Sequence, residues 1–312
     1  MILIIGHATD PTTVHSVRSA RRSGHDVAFV ELRSFLERGE FFWDSRAKNG
    51  YLELDDARYE FPSESITGIY CRLIDLSDRF TGKVRRRMRA RVIGLSKILN
   101  ETDTFVVNRP GIDISNAAKV FHTELLRRIG FSIPEYILTN DAADARDFLE
   151  RYPDAIYKGA SSAKTIATKV REEDFQRLHQ LSHTPVLFQR RIVGDEMRVH
   201  VVGNEAFAER IITDAVDYRF DDAEKKMIAA VLPPELLERA QHYRRQSGLS
   251  LIGIDFRVTP EGEFFVLEAN PMPGYDGYDR RAGHAISDAL FRLLARGGAR
   301  GAEPLEERLA AG

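Results

Sequence analysis

The stretch Leu251 to Gly274, LIGIDFRVTPEGEFFVLEANPMPG, constrains the fold more than any other part of the chain. Ile252, Ile254, Phe256 and Val258 alternate with Gly253, Asp255 and Arg257, which is the period of a strand with one buried face. Thr259-Pro260-Glu261-Gly262 supplies a turn, and Phe264 to Leu267 returns as an apolar strand into Glu268-Ala269-Asn270-Pro271. Side chains two apart on a strand share a face, so Glu268 and Asn270 point the same way. If the strands pair about the turn, Asp255 stands beside them. Two carboxylates and an amide oxygen on a rigid hairpin suit Mg²⁺ bridged by nucleotide phosphates. Facing inward among apolar neighbours without a cation, they would be costly. For Asp255 itself a second reading stands at this point, a charge on the solvent face of an ordinary hairpin.

The remaining composition excludes several classes of function. A length of 312 residues allows one large or two to three smaller domains. The balance of 45 basic to 47 acidic residues gives no bulk charge for living on nucleic acid. The run Lys83 to Arg91 is the local exception. It reads as the solvated face of a helix ending near Leu99, or as a docking surface for an acidic partner. Cys71 is the only cysteine, which excludes an intrachain disulfide or a cysteine-based zinc cluster and fits a reducing cytoplasm. Met1 to Ile5 stops at Gly6-His7 with no basic leader, so it reads as a strand rather than a signal peptide. No apolar run approaches the ~20 residues needed to cross a bilayer, so no membrane partner is expected. The nine histidines show no metal-type spacing and read as surface or packing residues.

Residues 1 to about 105 read as an α/β unit. A strand at Ile2 to Ile5, a helical stretch to Arg22 and a strand at Val27 to Val30 make a βαβ start and predict a parallel sheet. Gly6-His7-Ala8-Thr9-Asp10 is not a dinucleotide fingerprint. Further on, Ala117, Val120, Phe121, Leu125 and Ile129 show helical spacing closed by Gly130, with Lys119 at the edge of the stripe. A strand at Ala155 to Gly159 ends in Lys158-Gly159 before the small, polar loop Ala160 to Thr165, which includes Ser161 and Ser162. Such a loop lets backbone N–H groups approach phosphate, though polar hairpin loops are also common. Val186 to Ile192 reads as a strand. Arg198 to Val202 and Ala206 to Ile212 flank Gly203-Asn204, a hairpin turn. A helix from Pro233-Pro234 to Gly248 and a closing helix from Gly283 to Leu294 complete the pattern.

The segment Asn108 to Leu294 resembles the ATP-grasp superfamily, especially its branch of ribosomal-protein-S6-glutamate-ligase-like and peptide-cyclising (graspetide) ligases. The resemblance rests on Asp255 followed by Glu268-Ala269-Asn270-Pro271, on Asn108-Arg109-Pro110, and on the Gly-Phe-x-Ile-Pro segment at Gly130 to Pro134. It implies an α/β (α+β) ATP-grasp fold behind an N-terminal parallel-sheet pre-ATP-grasp domain. The boundaries would be 1–105 for that domain, 106–185 for a central lid subdomain, 186–296 for a C-terminal subdomain with the metal site, and 297–312 for a tail. It implies that Asp255, Glu268 and Asn270 hold two Mg²⁺ ions, with Mn²⁺ as a substitute, on the phosphates of ATP. Lys119, Lys158, Ser161 and Ser162 would contact the nucleotide phosphates. Gln189, Arg190 and Ile192 would line the adenine edge through backbone or packing, and Glu196 would bind ribose. Arg198, Arg210 and Arg219 would serve the reacting carboxylate. Asp217-Tyr218-Arg219 resembles the branch's Asp-Phe/Tyr-Arg segment, but Phe220-Asp221-Asp222 follows where its ribosomal-protein ligases usually have Ser-Asn.

The activity so implied is an ATP-dependent carboxylate–amine or carboxylate–hydroxyl ligase that acts through an acyl phosphate on a peptide or amino acid. A cytoplasmic enzyme is expected, and homodimers are common among such ligases. The alternatives are a small-molecule kinase on the same scaffold and a non-catalytic nucleotide-binding module, because a fold does not fix a reaction.

Overall fold

The computed structural model describes residues 1–111, 119–159, 167–212 and 226–298; side chains at 78 and 119–121 lie outside the description. The continuous apolar run Ile2–Gly6 forms β1, buried along its whole length. A strand with no polar side must be covered on both faces, as in parallel α/β sheets. Helix α1 (Pro11–Arg22) and β2 (Val27–Glu31) follow, then α2 (Leu32–Arg38). A meander of β3 (Glu40–Asp44), β4 (Asn49–Leu54) and β5 (Ala57–Phe61) leads to β6 (Gly68–Cys71), α3 (Gly82–Glu101) and β7 (Val106–Val107). The parallel sheet has the order β2-β1-β6-β7. Leu3 and Ile5 pack with α2 and α3 on one face, and Ile2 and Ile4 join a second cluster on the other. The basic run of α3 is mostly exposed, while Met88 within it is buried in the core.

The next sheet is antiparallel. After α4 (Lys119–Ile129) come β8 (Tyr136–Thr139), α5 (Ala142–Arg151), β9 (Ile156–Gly159), β10 (Thr168–Lys169), the short α6 (Glu172–Phe175) and β11 (Val186–Gln189). Its order is β10-β9-β11-β8, so the strand beginning at Val186 belongs with β8 and β9 rather than with the sheet that follows. Phe148, Leu149, Leu178 and Leu181 cover one face of this sheet through Phe188.

The largest sheet carries β12 (Asp195–Val202), β13 (Glu205–Ile212), β14 (Lys226–Ala230), β15 (Leu251–Val258) and β16 (Phe264–Asn270), with α7 (Pro234–Ser247) between β14 and β15. Its order is β14-β13-β12-β15-β16. Met197, Val199, Ile252, Ile254 and Phe256 form a core with Leu126 of α4 and Leu236, Ala240 and Tyr243 of α7. Burying each of the Val, Ile, Leu, Met and Phe side chains among them stabilises by about 1.5–3 kcal/mol. The alternate residues face the other way and carry the charge. Gly248 ends α7 with φ +68°, a left-handed cap that glycine takes without a Cβ clash.

Helix α8 (Asp276–Arg281) and α9 (Ala285–Ala295) then return to the first sheet. Ile286, Leu290, Phe291 and Leu294 of α9 pack with Ile2, Ile4, Tyr70 and Val107 of the parallel sheet and with Val202 and Leu251 of the largest one. A Cβ at Gly68 would lie 2.7 Å from the carbonyl oxygen of Leu294, so that glycine permits the close approach of α9 to β6. The sequence pattern anticipates this mixed α/β architecture. It misses β3, β5 and α8, whose short, mixed-polarity segments show neither period. No helix among the described residues is long and apolar enough to cross a membrane.

Candidate functional site

The charged face of the largest sheet is built by register. Asp255 stands directly opposite Glu268, and Gly253 opposite Asn270. On the other side of β15, Arg198 stands opposite Asp255, Glu196 opposite Arg257, and His200 opposite Gly253. Directly opposed residues of an antiparallel pair share a face, so these groups converge. The ladder shifts between Asp255 and Phe256, a bulge that ends the regular pairing beside the carboxylate.

The contacts are specific. Arg198 Nη1 donates to Asp255 Oδ1 at 2.5 Å, with the arginine nearly buried. A Cβ on Gly253 would lie 2.2 Å from Arg198 Nη2, so the missing side chain is what lets the guanidinium cross β15. His200 is fully buried against the Gly274 carbonyl, 3.2 Å from its Nε2. Burial, and after it the Arg198 charge, hold its imidazole well below the ordinary histidine range, so it is neutral. Arg257 donates to Glu196 Oε1 at 2.7 Å and to the Gly194 carbonyl at 2.9 Å.

Two side chains from the first unit hold the ends of this hairpin. Asn108 donates to the carbonyls of Leu251 and Pro271, each at 2.6 Å. Its Oδ1 accepts from the amides of Ser250 and Leu251 at 2.7 and 3.1 Å. Arg72, at the end of β6 and only 6% exposed, donates to the Pro273 carbonyl at 2.8 Å and to Asp10 at 2.8 Å. Burial alone would push the Asp10 carboxyl up. The Arg72 guanidinium and the Thr13 hydroxyl and amide outweigh it and hold the carboxyl below its usual value. Asn270 Oδ1 accepts from the Met272 amide at 2.9 Å, which turns the chain out of β16 toward the Pro273 carbonyl that Arg72 grips.

The second sheet brings together another expected pair. Lys158 Nζ donates to Gln189 Oε1 at 2.9 Å, and Gln189 is buried. Arg190 donates its amide to the Glu135 carbonyl at 2.8 Å, and its guanidinium lies 5.8 Å from the Phe265 ring centroid. That contact ties the segment after β11 to β16, next to buried Ile192.

Against this geometry, no protein-family model matches the chain. Over 192 residues it is 30% identical to the vancomycin C-type resistance protein VanC2 of Enterococcus casseliflavus, covering 52% of this chain and 55% of that one. A D-alanine–D-alanine ligase of Dechloromonas aromatica (strain RCB) is 25% identical over 172 residues, 49% of this chain and 57% of its own. The chain thus spans a third to a little over half the length of the curated relatives it matches. Solved structures match over nearly the whole length. The ATP-grasp ligase PsnB, complexed with a phosphomimetic variant of its minimal precursor, Mg and ADP, is 25% identical with a TM-score of 0.80, covering 95% of this chain and 98% of that one. The chain has the ATP-grasp fold. The macrocyclase MdnC bound with precursor peptide MdnA, from Microcystis aeruginosa MRC, has the same fold, with a TM-score of 0.80 at 18% identity over 96% and 100% of the two chains.

Within this ATP-grasp chain the expected site residues fall into three groups. Asp255, Glu268, Asn270, Arg198 and Glu196 share one face, and Lys158 meets Gln189. Arg210 stands opposite Met197, which places it on the face away from Arg198, where it pairs with Asp195 at 2.8 Å. Ser161, Ser162 and Arg219 lie outside the described residues, and so does the side chain of Lys119, although its backbone begins α4.

Sequence reasoning missed the Arg72–Asp10 pair, whose partners across the hairpin are backbone carbonyls. It also missed a cluster. His15, Asp279 and His284 converge, with one ligand atom of each within 4.8 Å of the others, and the 264-residue separation of His15 and Asp279 leaves no spacing to read. The buried Cys71 thiol is pushed up to about 12 by desolvation, so it is packing rather than a nucleophile.

Proposed function

We propose that this ATP-grasp chain is an ATP-dependent ligase that activates a substrate carboxylate as an acyl phosphate and joins it to an amine or hydroxyl of a peptide. The observation that carries this reading is the single charged face on which Asp255, Glu268 and Asn270 meet beside Arg198.

A carboxylate and an amine do not condense in neutral water, because the carboxylate oxygen is a poor leaving group. Attack of that oxygen on the γ-phosphorus releases ADP and forms a mixed anhydride. The nucleophile then attacks the acyl carbon, and phosphate leaves with the carboxylate oxygen. Phosphoryl transfer asks a protein for positioning and charge neutralisation. The all-oxygen donor set fits Mg²⁺, as two ions, with lone pairs left on both carboxylates and on the Asn270 amide oxygen. When bound, Mg²⁺ supplies charge neutralisation at the phosphoryl oxygens. Arg198 keeps Asp255 oriented and places a fixed guanidinium where an oxyanion develops. Lys158 supplies a point charge for phosphate, while Gln189, Arg190 and Ile192 frame the adenine edge. Glu196, held by Arg257, faces the ribose. Lys119, Ser161, Ser162 and Arg219 complete the reading as further phosphate and substrate contacts. Arg210 serves the substrate from the far side of the strand or not at all.

A peptide substrate is favoured by the precursor peptides held in MdnC and PsnB structures. The experiment is incubation with Mg·ATP, pooled acidic peptides and hydroxylamine, read by mass spectrometry. ADP with a hydroxamate or a dehydrated peptide is the expected result. A phosphoproduct stable to hydroxylamine, with no condensed product, would replace the ligase by a kinase.

A further inference from the structure

Three helices meet where the chain after Asn270 crosses the first unit, and polar groups fill their junction. His15 comes from α1, Asp279 from α8, and His284 directly precedes α9. His15 Nε2 lies 2.7 Å from Asp279 Oδ2, and His284 Nδ1 lies 3.4 Å from the same oxygen. One ligand atom from each lies within 4.8 Å of the others. Asp279 Oδ1 is already fixed by the Ser287 amide at 2.9 Å, so both imidazoles address the one remaining oxygen. Two imidazole nitrogens thus converge on one carboxylate oxygen.

Two independent features mark the place. The two imidazoles stack, with centroids 5.7 Å apart and 20° between planes. His284 holds φ +72°, a left-handed backbone that a non-glycine residue rarely adopts. That strain aims its ring back at the aspartate. Burial is graded: Asp279 has no exposure, His15 has 8%, and the His284 side chain has 35%, which leaves one side open to solvent.

We propose that His15, Asp279 and His284 form a transition-metal site of the Zn²⁺ class, separate from the oxygen-only hairpin. Two imidazole nitrogens and one carboxylate oxygen suit a borderline-soft divalent ion with a fourth position open to water. Mg²⁺ prefers oxygen alone and belongs to the other donor set. The Ser287 amide fixes the carboxylate from behind, as outer partners of metal ligands do. The ion ties α1 to α8 and α9. Along the same seam Tyr275 Oη lies 2.6 Å from Ser16 Oγ, and Thr12 Oγ1 donates to Asp276 at 2.9 Å. The site therefore joins α1 to α8 and α9 beneath the loop that leaves Asn270 while keeping one position open to solvent, and it does not rest on the ligase reading.

The test is titration of Zn²⁺ and Co²⁺ into the metal-stripped full-length chain without nucleotide. One equivalent should bind, Co²⁺ should show d–d absorption of nitrogen–oxygen coordination, and Zn²⁺ should raise the melting midpoint. Excess Mg²⁺ should not displace it. His284→Ala keeps the His15–Asp279 bond, so it should fold, and it should lose affinity by about tenfold or more. His15→Gln should do the same, and Glu268→Gln should bind like wild type. Absence of stoichiometric uptake by wild type would overturn the proposal. So would uptake retained in both histidine variants, or uptake lost in Glu268→Gln alone, which would put the ion on the hairpin.

Discussion

The two faces of the largest sheet are made by the same strands and obey opposite rules. On one, Met197, Val199, Ile252, Ile254 and Phe256 meet α4 and α7 through contacts without direction. On the other, Glu196, Arg198, His200, Asp255, Arg257, Glu268 and Asn270 meet through register and hydrogen bonds. The period of two that buries the first set also delivers the second set to one place. The difference teaches where substitutions should act: the apolar face sets stability, and the charged face sets chemistry.

Phe256→Ala gives the largest expected effect on the apolar side. Removing this fully buried ring should cost about 3–5 kcal/mol, measured by urea denaturation, with turnover per folded molecule retained. Glu268→Gln is its counterpart. It should lower ATP turnover by about a hundredfold or more while the denaturation midpoint stays near wild type. A variant that unfolds the protein would break the division between faces.

Arg72→Ala sharpens the comparison, since Arg72 reaches the hairpin from the first unit. Its removal leaves the largely buried Asp10 without its counter-charge, with the Thr13 hydrogen bonds remaining, at about 3 kcal/mol. It should also raise the Mg²⁺ concentration needed for half-maximal turnover. Gly253→Ala should cost about 1–3 kcal/mol, because its Cβ meets the Arg198 guanidinium and Pro273; turnover should fall with it.

The smallest effect is one of pH. The folded Asp10 carboxyl lies below its usual value of 3.8. Its ionised form therefore contributes stability that is fully present above about pH 4 and is lost as pH falls through the lowered folded value. Acid denaturation of Asp10→Asn should be flatter over that range than that of wild type.

The hairpin was legible because alternation, turn residues and a carboxylate pair coincide in one short segment. The parallel sheet was legible because Ile2 to Ile5 has no polar side to expose. Arg72 was not, because its hairpin partners are backbone carbonyls and its carboxylate partner, Asp10, lies 62 residues away in sequence. The side of the sheet on which Arg210 stands was also hidden, since it depends on a pairing register with β12 that composition does not reveal. His15 and Asp279 lie 264 residues apart and meet because α1 packs on α8.

Retention of a nucleotide-bound divalent cation by Asp255, Glu268 and Asn270 is what the proposed ligase requires first. Its most direct test is electron paramagnetic resonance of Mn²⁺ titrated into wild type and Glu268→Gln with saturating ADP. Wild type should remove free Mn²⁺ in a nucleotide-dependent manner, and the variant, folded and still able to bind ADP, should not. Equal nucleotide-dependent Mn²⁺ binding by both proteins would contradict it.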